Sequence, residues 1–127
     1  MHHYIYAMHS NGVPPVGDGN IKAWFEYYKL GNGPGTSIPF FEKDMPEEER
    51  AAAGDYLWFS MDNVLVGVCR VTGIEPDPLN KRVDVFYDSS KVVPLSVTVA
   101  DQMTCGRAAD AGLGGLTALL AGLAIDR

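Results

Sequence analysis

The chain has 127 residues, 46% of them hydrophobic and 20% charged, which supports one globular domain with a real core and excludes a disordered chain. A net charge of −6, with nine acids against four Lys/Arg in the first 63 residues, excludes a basic arm and argues against duplex binding by phosphate neutralisation alone. Two cysteines without a CxxC pair exclude a disulfide framework and fit two reduced, buried thiols in the cytoplasm.

Residues 2–9 (HHYIYAMH) alternate and predict a first strand, with Tyr4, Tyr6 and Met8 on one face and Ile5 and Ala7 on the other. His2, His3 and His9 lie close together, but no matching Cys/His pair follows at finger spacing, so neither a metal site nor a cofactor is expected. Residues 10–20 carry Asn-Gly, Pro-Pro and Gly-Asp-Gly and read as loop. Residues 21–30 (IKAWFEYYKL) predict a short helix, with Asn20 as N-cap and Gly31 just beyond its end. The run GNGPGTSIPFF reads as an irregular connection. It lacks the leading strand and the Gly-Lys-Ser/Thr of a phosphate loop.

Residues 44–53 (DMPEEERAAA) predict a second short helix, capped by Asp44 with Pro46 in its first turn. Strands follow at Tyr56–Met61, Val64–Ile74, Arg82–Tyr87 and Lys91–Val99. Asp62-Asn63 forms the first turn, Gly67 permits a bend, and Pro94 marks an edge or bulge. In the last 25 residues Leu113, Leu116, Leu120 and Leu123 recur at helical spacing. Gly112, Gly114, Gly115 and Gly122 weaken that helix, so packing must hold it. The segment is too short and too interrupted for a membrane span, and residues 1–20 lack the pattern of a signal peptide. A cytoplasmic, non-membrane protein is expected.

Short turns between the later strands make them antiparallel neighbours. The expected fold is α+β: a single domain over residues 1–127, built on a small curled antiparallel β-barrel with flanking helices.

At residues 54–74 the run GDYLWFSMDNVLVGVCRVTGI resembles the Gly-Asp, aromatic strand, turn and Val-Gly-containing strand of EVE domains. The piece YLWFSMDNVLVGVCRV is also similar to the aromatic Phe-Ser strand and following strand of YTH domains. Both belong to the PUA-like superfamily. The resemblance is specific over residues 54–74 and loose over residues 2–99. It implies a nucleic-acid-binding module that takes a modified nucleobase of DNA or RNA into an aromatic pocket. Such a module serves, in bacteria, as the specificity domain of a modification-dependent restriction system.

The residues able to line that pocket are few. Trp24 and Tyr28 share a helix in which four aromatics in five positions cannot all face one core. Tyr56, Trp58 and Ser60 share one strand face, while Leu57, Phe59 and Met61 take the other and read as barrel core. The Tyr56/Trp58/Ser60 face is either covered by a helix or lines a pocket. Asp62 and Asn63 would read a base edge, or simply make the hairpin turn. Lys22, Lys29, Arg70, Lys81 and Arg82 are the candidates for phosphate contacts. No motif of an enzyme is present. Two alternatives remain: a structural or oligomer-forming protein, for example phage-encoded, associating through its Gly/Leu-rich C-terminal helix, and a small-molecule hydrolase on the same fold.

Overall fold

A computed structural model describes residues 2–8, 33–61, 63–98, 104–108 and 115–123. Among these residues the protein is mostly β. Seven strands run β1 (His3–Met8), β2 (Thr36–Phe41), β3 (Tyr56–Met61), β4 (Val64–Asp77), β5 (Arg82–Tyr87), β6 (Val93–Thr98) and β7 (Gly106–Ala108). One short helix, α1 (Leu116–Ala121), follows them.

The strand order is β2-β5-β4-β3-β1-β7, with β6 also paired to β4. β4 is the spine. Its first half pairs β3 along one edge and β6 along the other, and its second half pairs β5, all antiparallel. A 14-residue strand that serves three partners must bend. The bend is made where the register slips opposite Phe59 and Ser60, which face Gly67 and Leu65 and leave Val66 as the extra residue. The parity of the buried side chains changes there. Val64 and Val66 point to the main core before the slip, and Cys69 and Val71 point to it afterwards. The sheet therefore curls into an open half-barrel.

Alternation along the strands separates two apolar faces. The concave face carries Tyr4 of β1, Leu57, Phe59 and Met61 of β3, Ile38 and Phe40 of β2, and Val83, Val85 and Tyr87 of β5. Its aromatic centre is edge-on and tilted: Tyr6 meets Phe40 at 5.6 Å and Phe59 at 6.3 Å, and Phe59 meets Tyr87 at 5.3 Å. The opposite face carries Ile5, Trp58, Leu65 and Val68, and α1 covers it through the buried Leu116 with Leu119, Leu120 and Leu123 beside it. The predicted face assignments of β1 and β3 match this division.

Several sequence expectations are corrected. Residues 36–41, read as loop, form the edge strand β2, in which Thr36, Ile38 and Phe40 are buried at period two. Pro39 is accommodated because an edge strand tolerates a residue without an N–H. Residues 44–53, read as a helix, hold only a three-residue 3-10 turn at Glu47–Glu49. Met45 and Ala51 are buried in the concave core, and Arg50 is already extended. Core anchoring at both ends competes with continuous helix and wins. The C-terminal segment contains β7 before α1, and α1 spans six residues rather than most of the last 25. The first strand joins the sheet parallel to β3, not as part of an antiparallel meander. The helix expected at residues 21–30 lies outside the described residues.

Candidate functional site

The strand β3 positions three of the sequence candidates. Tyr56 opens it half-buried, Trp58 follows fully buried, and Ser60 is 1% exposed. Ser60 sits four residues from Tyr56, about 13 Å along the strand. Among the described residues Trp58 is the largest buried side chain, and it packs beneath α1. Of the two readings the sequence left open for this face, cover by a helix is the one the structure shows. Trp58 is a core residue and not an open wall.

At the Tyr56 end, three strands lie in register: His3 opposite Tyr56, and Tyr56 opposite Arg70. The His3 imidazole stacks on Tyr56 at 5.4 Å with an interplanar angle of 18°. The guanidinium carbon of Arg70 lies 4.8 Å from the centre of the Tyr56 ring. Arg70 Nη2 donates to the Tyr56 hydroxyl at 2.9 Å and Nη1 to the Gly54 carbonyl at 3.0 Å. Two bonds and a cation–π contact thus fix the orientation of a half-buried guanidinium. Behind it, the Trp58 indole N–H donates to His3 Nδ1 at 2.9 Å, and His3 is itself buried.

The turn at residues 52–55 braces this end. Asp55, buried, accepts from the backbone N–H of Ala52 at 2.9 Å and of His2 at 3.2 Å. Those bonds tie the start of β1 to the start of β3.

The remaining candidates scatter. Asn63 adopts φ 65° in the β3–β4 turn, the turn chemistry the sequence allowed. Lys81 adopts φ 54° at the end of the 3-10 turn Pro78–Asn80. Arg82 Nε lies 3.4 Å from both Asp77 and Asp84 carboxylates, so its charge is already balanced. Seven residues of β4 separate Arg70 from Asp77, the partner of Arg82, or about 23 Å of strand. Arg70 and Arg82 therefore do not form one basic rim. Trp24, Tyr28, Lys22, Lys29 and Asp62 lie outside the described residues. Phe41 is 65% exposed, with Lys43 Nζ 5.9 Å from its ring, on the same row as the balanced Arg82.

Burial pushes the Cys69 thiol up, with Asp88 adding to it, and burial also pushes up Cys105. Burial raises the Tyr4, Tyr6 and Tyr87 hydroxyls. Among the described residues no group of His, Cys, Asp and Glu could hold a metal ion, and no helix is long and apolar enough to cross a membrane.

Sequence reasoning missed His3 as a structural partner of the site. A signal was present: His3 shares the strand parity of Ile5 and Ala7, so a polar ring was being placed on an apolar face. A buried polar ring requires a partner. Comparison with protein-family models, with curated proteins and with solved structures finds no match to this chain.

Proposed function

We propose that the chain is a nucleic-acid-binding module that receives one unpaired or extruded nucleobase, modified or not, against the Tyr56–Arg70 platform. The observation that carries this reading is the Arg70 guanidinium, held by the Gly54 carbonyl and the Tyr56 hydroxyl at a partly exposed sheet end. A fixed guanidinium plane is a stacking surface for a base and a donor to its edge or to a phosphate. Stacking on such a surface contributes about 1–3 kcal/mol, while extruding a base costs a few kcal/mol and least when it is already unpaired. With a net charge of −6, the module depends on this local contact and not on a general basic field. Recognition of a modified base in a PUA-like manner, and service as the specificity domain of a modification-dependent restriction system, are the finer form of the same proposal.

The test is fluorescence anisotropy with single-stranded oligonucleotides carrying unmodified and variously modified bases. Arg70→Gln and Tyr56→Leu are expected to weaken the best binder by roughly 5- to 150-fold, the range that 1–3 kcal/mol implies. Binding should show only a shallow salt dependence, as few phosphates are neutralised. Equal, negligible binding of every oligonucleotide by the wild-type chain would remove the proposal.

A further inference from the structure

Arg107 of β7 stands at the same end of the sheet as Tyr56 and Arg70. It lies opposite Tyr4 of β1 and shares the concave face with it, whereas Arg70 shares the α1 face with Tyr56. Its Nη2 lies 2.7 Å from His2 Nδ1, and a guanidinium only donates, so the ring nitrogen accepts. The backbone of His2 is tied on both sides. Its N–H donates to Asp55 at 3.2 Å, and its carbonyl accepts from the Tyr56 N–H at 3.0 Å. Arg70 is thus held on the Tyr56 hydroxyl and Arg107 on the His2 ring, by two residues that share a backbone hydrogen bond. We propose, resting on the base-binding reading of Arg70, that Arg107 binds a backbone phosphate of the same single strand, which wraps the end of the sheet.

The surroundings of Arg107 suit it to a phosphate. It is exposed, and among the described residues no acid pairs with it; the ion pairs there belong to Arg50 and Arg82. Burial raises the Tyr4 hydroxyl, Asp55 and Glu49 add to the rise, and Arg107 opposes it, so these three charges surround one point. Asp55 is buried, and its carboxylate is occupied by two backbone N–H groups. Glu49 is exposed and makes no ion pair with Arg107. The backbone beneath Arg107 is fixed as well. Gly106, Arg107 and Ala108 all pair with β1, and Gly106 leaves no room for a Cβ against the Asp44 carbonyl. A guanidinium on so firm a base loses little freedom when it meets its anion.

The strand order β4-β3-β1-β7 puts Arg70 and Arg107 three strand spacings apart, roughly 14 Å. At a rise of about 3.4 Å per nucleotide this is about four nucleotides, and fewer when the strand is stretched. The two guanidinia lie on opposite faces, so the ligand must turn around the sheet end between them. A duplex, stiff over about 150 base pairs, cannot make that turn, and a single strand can. A phosphate contact carries no sequence information, so Arg107 adds affinity while Arg70 supplies base preference.

Fluorescence anisotropy with the full chain tests this. Arg107→Gln should weaken every single-stranded oligonucleotide that wild type binds by one common factor, roughly two- to fivefold. It should also lower the slope of log affinity against log salt by about 0.7, and Arg107→Lys should restore that slope. Single methylphosphonate linkages, each removing one phosphate charge, should reveal an internal position where wild type loses affinity and Arg107→Gln does not. A response only to a terminal phosphate, with no internal position sensitive, overturns the wrapped path. If wild type binds and Arg107→Gln matches it in affinity and slope, the phosphate contact is overturned and base binding stands. If wild type binds no oligonucleotide, both fall. Should Arg107→Gln not fold, the linkage scan on wild type decides, and the absence of any sensitive internal position overturns the proposal.

Discussion

Replacing Gly106 by alanine tests how tightly β7 is fitted against the rest of the protein. Gly106 pairs with Ile5 of β1 and adopts φ +122°, a region that side chains rarely enter. A Cβ built there would stand 2.5 Å from the Asp44 carbonyl oxygen and 3.5 Å from its carbon. The obstructing atoms are backbone, and the next residue, Met45, is fully buried in the concave core. The neighbour cannot swing aside as a surface side chain would. Backbone strain of about 1–3 kcal/mol and overpacking of about 1–3 kcal/mol combine to a destabilisation of roughly 2–6 kcal/mol. That is a large part of the total stability of about 5–15 kcal/mol of a natural domain, and corresponds to a fall in Tm of about 10–20 °C. Gly73→Ala is the control, since nothing lies within 4 Å of its Cβ position and its φ is ordinary. It should be neutral or stabilising by up to about 1 kcal/mol. Urea and thermal unfolding followed by circular dichroism measure both. A Gly106→Ala variant within about 0.5 kcal/mol of Gly73→Ala would refute the close approach of β7 to Asp44.

Two further outcomes follow from the core. Tyr4→Phe removes only the hydroxyl that donates to the Glu49 carbonyl at 2.8 Å, so it should destabilise by about 1 kcal/mol in urea unfolding and leave the far-UV spectrum unchanged. Above about pH 10 stability should decline, because the buried Tyr4 and Tyr87 hydroxyls are raised in the folded protein and ionise more readily in the unfolded chain. That stabilisation is fully present below the unfolded value and is lost as pH rises. In an absorbance titration at alkaline pH these two of the six tyrosines should ionise only as the protein unfolds. Ionisation of all six before any loss of structure would contradict their burial.

The legible parts of the fold were those written locally. Tyr56–Met61 and Arg82–Tyr87 appear as read, because alternation and short turns bracket them on both sides. The curl of the sheet was foreshadowed by Gly67, which lies at the register slip of β4. What stayed hidden is non-local. The parallel pairing of β1 with β3 joins segments about fifty residues apart, from His3 with Tyr56 to Met8 with Met61, and no local pattern encodes such a crossover. The 44–53 segment has helical composition, but its conformation is decided by where Met45 and Ala51 must be buried. That Tyr56 and Trp58 share one face of β3 was readable from strand parity. Which of them is covered was not, since that depends on a helix docking from the far end of the sequence.

The position of any receptor surface on β3 follows from that docking. The strand has one face in the concave core and the other beneath α1, so its middle and far residues are closed on both sides: Leu57 to Met61 are all buried. A ligand can meet β3 only at its first residue, where Tyr56 is half-buried and the neighbouring strands contribute His3 and Arg70. Trp58 then acts at one remove, by holding the His3 ring on which Tyr56 stacks. On this reasoning Trp58→Phe should keep the packing, lose the indole donor, and weaken base binding only through Tyr56. Its effect on oligonucleotide affinity should therefore be smaller than that of Arg70→Gln. An effect larger than that of Arg70→Gln would mean that the indole itself meets the base, and that α1 must move to let it in.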